Sequence, residues 1–405
     1  MNFLFIVGFF DGYCDANFRI AIKLASEIRK IGHRCNLLAY SWVITEIRTE
    51  SVDGIDFLVM PINQKNAHIK KEYLTSNTSK VSFFLKKPFS VIKYLANQKD
   101  DFKLVAQYVD KTFSDSIPVY FVAPSDSTFK IIKASKRDDF VLYQLDPWGL
   151  HELIDSKTRI REIKKENSLF EKSKHVFTTS LLYKQYQNNP VYKKYLDKIT
   201  MMQFPNLSRK RKKRNELFLQ DYIYVVHLGT VEDEYRDPKG ILNALLNIKE
   251  KYRLPIKILF FGKILSKTLD KYSLSYPREI IKCGIISYDE SNMIMNSDNI
   301  FLLNINNTIS NQSPSKLIDY ISTGNPIVNV AKRTSDVSIE VLSKYENSIT
   351  VNEETGIDEN ALYSFLINNR NKRVLYDAIE EKYVEYTPEY CAERVIEALR
   401  KKDGK

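Results

Sequence analysis

The stretch of this sequence best suited to chemistry runs over 310–328: Ser310-Asn311-Gln312-Ser313-Pro314-Ser315-Lys316-Leu317-Ile318-Asp319-Tyr320-Ile321-Ser322-Thr323-Gly324-Asn325-Pro326-Ile327-Val328. Ser313 can cap a helix whose first residue is Pro314, where the missing proline N–H costs nothing. The amides of Ser315 and Lys316 then point out of a helix N-terminus, where free N–H groups and the helix dipole attract phosphate. Lys316 adds a positive charge. Asp319, one turn on and on the same side as Ser315, can accept hydrogen bonds from ribose hydroxyls. The competing reading is an ordinary capped helix packed between two strands.

A helix can hold such groups in place only if strands hold the helix, and the flanking sequence predicts them. Residues 2–10 read as a strand, followed by a loop with Asp11, Gly12 and Asp15. Ile20, Leu24, Ile28 and Ile31 then recur along one helical face, and Gly32 stands where a C-terminal cap belongs. A second strand follows over 35–40, and a helix joining two apolar strands implies a right-handed crossover and a parallel sheet. Further strands are predicted over 118–122, 140–145, 175–179 and 199–204. The hydrophilic run 208–215 reads as a linker. After it come a strand over 222–228, a helix from about Pro238, and strands over 256–261, 299–304 and 326–330. Thr387 and Pro388 open a final helix carrying Val395, Ile396 and Leu399. No internal repeat of 20–50 residues suggests a solenoid.

Composition narrows the class. The 405 residues are 43% hydrophobic and 27% charged, which argues against a disordered chain or a coiled-coil rod. No apolar run approaches the length of a transmembrane helix. The run over 3–10 has no basic residue before it and Asp11-Gly12 after it, so it reads as a buried strand and not a signal peptide. Cys14, Cys35, Cys283 and Cys391 form no CxxC pair, and the five histidines are scattered. No metal site is expected, and a reducing cytoplasm is the expected setting.

The motif over 310–328 resembles the donor site of GT-B glycosyltransferases, especially the retaining family-4 type. There Pro-Ser-Lys-Leu lies between two acidic residues and a Gly-x-Pro-Val-Val strand follows. Ser313-Pro314-Ser315-Lys316-Leu317-Ile318-Asp319-Tyr320 and Gly324-Asn325-Pro326-Ile327-Val328 match it. Asp319 fills the second acidic position. Asn311 stands at the first, where the family has a glutamate serving the donor sugar; an amide can hydrogen-bond hydroxyls but cannot act as a carboxylate. Two more segments match in order. His227-Leu228-Gly229-Thr230 with Arg236-Asp237-Pro238-Lys239-Gly240 looks like the glycine turn and basic pair that hold the donor diphosphate, with Thr230 where an arginine is usual. Cys283-Gly284-Ile285-Ile286-Ser287-Tyr288 looks like the segment that reads the base. Read without the resemblance, Arg236 and Lys239 are solvated cations opening a surface helix, and the last segment is a buried strand and turn.

The resemblance implies two Rossmann-like doubly wound α/β domains facing a central cleft: 1–207 on the acceptor side, 208–387 for the donor, and a helix over 388–405 returning to the first. It implies a nucleotide-diphosphate sugar as donor substrate, with no cofactor and no metal, held by Gly229, Arg236, Lys239, Ser315, Lys316 and Asp319. Gly12 would let backbone approach a ligand. Tyr143-Gln144-Leu145-Asp146-Pro147-Trp148 ends a strand, where ligands collect in open α/β sheets. Asp146 is the acceptor-side carboxylate placed to orient or deprotonate a hydroxyl; the alternative is a turn aspartate before proline. The implied reaction transfers a sugar to a glycan or lipid-linked glycan in bacterial surface polysaccharide assembly.

Lysine and arginine exceed aspartate and glutamate by eleven, and six of the positive charges stand in the run 209–214. That run suits an anionic membrane face, nucleic acid or a solvated linker. No aromatic residues interleave with it, which argues against single-stranded nucleic acid. The mixed aromatic and lysine stretch 83–95 suits either a peripheral contact with the inner face of the membrane or a core helix. Two other functions fit parts of the pattern. A GT-B nucleotide-sugar epimerase would share the phosphate site. A non-catalytic anion- or nucleic-acid-binding protein would rely on 209–214.

Overall fold

The computed structural model describes residues 1–10, 16–62, 102–122, 126–146, 148–209, 218–309 and 315–403. Gly12, Asn311, the 83–95 stretch and all of the basic run except Arg209 lie outside these residues. Contacts divide the chain into two compact units: Met1–Pro205 with Pro388–Lys405, and Asn206–Thr387.

Unit 1 holds β1 (Asn2–Phe9), β2 (Arg34–Ser41), β3 (Arg48–Val52), β4 (Ile55–Pro61), β5 (Ile117–Val122), β6 (Val141–Gln144), β7 (His175–Thr178) and β8 (Ile199–Met201), in sheet order β3-β4-β2-β1-β5-β6-β7-β8. Its helices include α1 (Ala16–Lys30), α2 (102–112), α3 (Asp126–Ala134), α4 (Ser156–Lys172) and α5 (Ser180–Asn188). Alternate residues of β1 go to opposite faces, as strand geometry requires. Phe3, Phe5 and Val7 join a core with Leu24 and Ile28 of α1 and with Cys391, Val395 and Leu399 of the C-terminal helix Pro388–Asp403. Leu4 and Ile6 join a second core with Val105, Val109, Leu169 and Phe170. Both faces are covered, which explains the near-continuous apolar strands.

All described pairs of this sheet are parallel except β3–β4. That hairpin is absent from the sequence reading above. Val52 pairs with Ile55 across Asp53 and Gly54, at φ 54° and 73°. Asp-Gly is the dipeptide suited to a two-residue turn with both φ positive, so a local signal was there. The β3 residues are mostly exposed and give no apolar run.

Unit 2 holds β9 (Ile223–Leu228), β10 (Ile256–Phe261), β11 (Ile280–Gly284), β12 (Ile300–Ile305), β13 (Ile327–Ala331) and β14 (Ser348–Asn352), all parallel, in the order β11-β10-β9-β12-β13-β14. Counted within the unit this is 3-2-1-4-5-6, the doubly wound order in which the chain reverses between its first and fourth strands. Its helices are α6 (Asp233–Arg236), α7 (Lys239–Tyr252), α8 (Lys267–Ser275), α9 (Tyr288–Met295), α10 (Ser315–Ile321), α11 (Val337–Leu342), α12 (Glu359–Asn368) and α13 (Tyr376–Lys382). Ile241, Leu245 and Ile248 of α7 and Leu362 and Leu366 of α12 cover one face of the sheet. Leu317, Ile318 and Ile321 of α10 cover the other. Both units are therefore Rossmann-like α/β layers, the class the alternating pattern predicts.

Candidate functional site

The reversal point of unit 2 is a pocket of about 280 Å³. Its walls come from the end of β9 (His227, Leu228, Gly229, Thr230), from α6 (Arg236), from the end of β12 (Asn304 to Asn307) and from α10 (Ser315, Lys316). In a doubly wound sheet this is where ligands bind, because the two neighbouring crossovers leave in opposite directions and open a crevice.

The tip of β9 is fixed by α10. The Tyr320 hydroxyl accepts from Leu228 N–H at 3.1 Å and donates to the Leu228 carbonyl at 3.3 Å. Lys316 donates to the same carbonyl at 2.5 Å. Beyond the tip, Gly229 N–H bonds to Phe261 O, Val231 N–H to Lys263 O and Leu265 N–H to Val231 O, so the loop after β9 is stitched to the loop after β10. The fit between them needs a glycine. At Gly262, φ +121°, a Cβ would stand 2.3 Å from the Gly229 carbonyl oxygen, nearer than any side chain tolerates.

The same stitching positions Arg236. Its short helix is anchored at one end by Asp233, which accepts from Ser266 Oγ and from the N–H groups of Lys267 and Thr268. Thr308 N–H bonds to Tyr235 O and ties in the loop after β12. The guanidinium forms no ion pair with another described residue; Glu232 favours its charge from a distance, while burial pulls its pKa below the ordinary arginine range. Lys316 is an exposed residue whose ammonium is held against the Leu228 carbonyl. Desolvation is the largest influence lowering its pKa; Asp319 opposes that and Arg236 adds to it. Two cations thus face one pocket, and Arg236 disfavours the charge of Lys316. An anion between them would relieve that repulsion.

A buried amide network lines the far side. Asn304 on β12 pairs in register with Asn329 on β13. Its Nδ2 donates to Asn329 Oδ1 at 2.8 Å and to Asn306 Oδ1 at 2.7 Å. Asn306 and Asn329 both donate to Ser338 Oγ, which donates to Asp336 Oδ1. Asp336 also caps α11. These residues are absent from the candidates above. The signal was Asn304-Ile305-Asn306-Asn307, amides crowding the end of an otherwise apolar strand.

His227 is the other residue the candidate set lacks. It is 4% exposed and packs against Phe260. Nδ1 lies 3.0 Å from the Leu303 carbonyl, so that nitrogen carries the hydrogen. Nε2 is buried and has no partner among the described residues. Burial is the main cause holding the pKa at about 3; the Leu303 and Thr230 carbonyls act against it, and Lys316 and Arg236 reinforce it. The imidazole is neutral at physiological pH, and Nε2 is a bare acceptor.

Of the donor-site candidates, Gly229, Arg236, Ser315 and Lys316 come together in this pocket. Asp319 lies one turn along α10 from Lys316 and acts on its charge. Lys239 is exposed and is not among the residues lining the pocket. The first turn of its helix faces the chain's own Glu353, whose carboxylate would be 2.7 Å from a Cβ at Gly240. Gly284 ends β11 at φ +80°, and Ile285 beyond it is 77% exposed. In unit 1, Asp146 is half-buried after β6 and its carbonyl accepts from Gln144 Nε2. The adjoining turn is held by α4: Trp148 Nε1–H donates to Glu162 and Gly149 N–H to Glu166. Arg209 pairs with Asp377 and lies over the Tyr376 ring, an exposed contact of the kind that contributes little. Among the described residues no cluster of histidine, cysteine, aspartate and glutamate could hold a metal ion, and no helix is long and apolar enough to cross a membrane.

No protein-family model matches the chain, and no curated protein matches it. Solved structures do. Sucrose-phosphate synthase from Thermosynechococcus elongatus is similar with a TM-score of 0.64 at 12% identity, covering 100% of both chains. A putative UDP-N-acetylglucosamine 2-epimerase from Listeria monocytogenes is similar at 0.58 and 10% identity, covering 99% of this chain and 96% of that one. WaaG, a glycosyltransferase involved in lipopolysaccharide biosynthesis, is similar at 0.55 and 12%, covering 96% and 94%. At such identities the likeness is one of fold: two Rossmann-like domains of the GT-B type.

Proposed function

We propose that this chain is a glycosyltransferase that moves a sugar from a nucleotide-diphosphate donor to a hydroxyl of a glycan or lipid-linked glycan. The observation that carries the reading is the pocket at the reversal point of unit 2, where Arg236 and Lys316 converge and repel. A nucleoside diphosphate gains negative charge as it leaves, and fixed cations in a partly desolvated site stabilise that charge most in the transition state. Gly229 leaves room for the diphosphate: a Cβ there would stand 3.2 Å from Lys316 Nζ. Ser315 and Asp319 complete the donor side, and Asp319 is proposed to meet the ribose. Lys239 is at most a peripheral cation of this site.

In the finer reading the transferred sugar is a hexose, its configuration is retained, and the product enters bacterial surface polysaccharide on the cytoplasmic side of a membrane. Asn311 is proposed to hydrogen-bond the donor sugar and Asp146 to orient the acceptor hydroxyl. Gly12 is proposed to let backbone approach a ligand. These assignments rest on the motif resemblance. The GT-B solved structures also include an epimerase, a reaction that requires a proton acceptor at the sugar. Among the described pocket residues, the two groups able to accept a proton are poorly suited to that task. His227 is held neutral with a strongly depressed basicity, and Asp336 caps α11 and holds Ser338. That favours transfer.

Calorimetric titration of UDP, GDP, ADP and TDP into wild type and Lys316→Ala tests the donor site. One nucleotide should bind, and the substitution should weaken it at least tenfold, about 1.4 kcal/mol. Folded wild type binding none of the four would overturn the reading. Conversion of the matching nucleotide sugar to its isomer without any acceptor would replace transfer by epimerisation.

A further inference from the structure

Nε2 of His227 is a pocket feature that a phosphate site does not explain. A phosphate or diphosphate oxygen is an acceptor, and so is this nitrogen. Nδ1–H is committed to the Leu303 carbonyl, which fixes the tautomer, and His227 on β9 is almost fully buried, packed against Phe260 of β10. A buried acceptor with no donor costs on the order of 1–3 kcal/mol. Its place in the pocket is defined by Gly229: the point where a Cβ would stand there is 3.4 Å from Nε2 and 3.2 Å from Lys316 Nζ. A cation and a bare acceptor therefore border the same small volume, and a ligand atom entering it meets both.

We propose that His227 Nε2 accepts a hydrogen bond from a hydroxyl on the ligand, so that the pocket selects an anion with a hydroxyl beside its charge over bare diphosphate. This rests on the donor-site reading and adds a specificity-determining residue to it. The selection works from both sides. A hydroxylated phosphate ester satisfies Nε2, whereas inorganic pyrophosphate satisfies the cations but sets an acceptor against an acceptor. Because the imidazole stays neutral, it gives no compensating charge to a bare anion. The hydroxyl belongs either to the ribose of the nucleotide or to the transferred sugar.

The experiment titrates three probes into wild type, His227→Phe and His227→Gln: the best-binding nucleoside diphosphate, its hexose ester, and inorganic pyrophosphate. His227→Phe should weaken the hydroxylated probes about tenfold and leave pyrophosphate within twofold or no weaker than it was. Loss on both hydroxylated probes assigns the hydroxyl to the ribose; loss on the hexose ester alone assigns it to the sugar. His227→Gln retains an N–H for Leu303 and an acceptor for the ligand, and should recover part of the loss. It also separates a lost contact from a misfolded variant. Equal loss on all three probes, or none on any, overturns the proposal. If wild type binds a nucleotide in a Lys316-dependent way and His227→Phe changes nothing, the donor site stands and only this inference falls. If no nucleotide binds, both fall.

Discussion

In unit 1 the Glu166 carboxylate, 1% exposed, is met by Tyr186 Oη–H at 2.9 Å, Tyr192 Oη–H at 2.5 Å and Gly149 N–H at 3.1 Å. In unit 2 His227, almost equally buried, has one nitrogen paired and the other bare. Glu166 lies on a helix packed against one sheet and His227 lies on a strand of the other, and both are cut off from water. The first cluster is closed: three donors converge on one acceptor, and their effect is to hold the turn that carries Asp146 and Trp148 against α4. The second is open toward a pocket that also holds two cations. A polar group completed within the fold serves the fold; one left incomplete at a sheet's reversal point is completed by something else.

Substitution separates the two roles. The largest effects should be on stability. Gly262→Ala forces a Cβ into the Gly229 carbonyl and should cost about 3 kcal/mol or more in denaturant unfolding, with nucleotide binding lost in the same variant. Glu166→Ala leaves three buried donors unpaired and should cost about 3 kcal/mol, but nucleotide affinity should stay within twofold. A tenfold loss of affinity on Glu166→Ala would end the distinction between a closed and an open cluster.

The clusters should also differ in the sign of their pH dependence. Burial raises the Glu166 pKa, against the pull of its tyrosine and backbone donors. Its contribution is fully present below the ordinary carboxylate value of 4.5 and is lost as pH rises through the raised one. The His227 pKa is depressed from 6.5 to about 3. The unfolded chain takes up a proton in that window and the native chain does not, so this contribution is present above 6.5 and is lost as pH falls toward 3. Relative to wild type, His227→Phe should flatten the acid side of the stability profile between those values, and Glu166→Gln should remove a slope of opposite sign. Chemical unfolding at half-unit pH steps measures both. The smallest effect is expected at Lys239: Lys239→Ala should change nucleotide affinity less than twofold, and a tenfold loss would return that lysine to the donor site.

The fold class was legible because both faces of each sheet are buried and the strands are correspondingly apolar: β10 occupies the residues read as a strand, and α10, described from Ser315, lies where a helix was read. In the β3–β4 hairpin, β3 escaped because an edge strand exposed to water has no apolar run to find, whereas β4 carries one in Phe57-Leu58-Val59-Met60 that the reading passed over. In the site, residue type and spacing pointed to Lys316 and Gly229, where a motif fixes geometry locally. Lys239 and Arg236 looked equivalent in sequence, and only the stitching of α6 to the loops after β10 and β12 separates them. His227 was hidden for a different reason. A histidine inside a strand reads as core, and which of its nitrogens is paired depends on a carbonyl 76 residues away.

Gly262 has a consequence for how this site can vary. Its neighbour across the loop is a backbone carbonyl, which no change of side chain elsewhere can move aside. In a library randomised at 229, 230 and 262 and selected for nucleotide binding, position 230 should accept many residues. Position 229 should accept few, since Lys316 and His227 border it. Position 262 should return glycine alone. The shape of this pocket is thus written partly in a residue that takes no part in lining it.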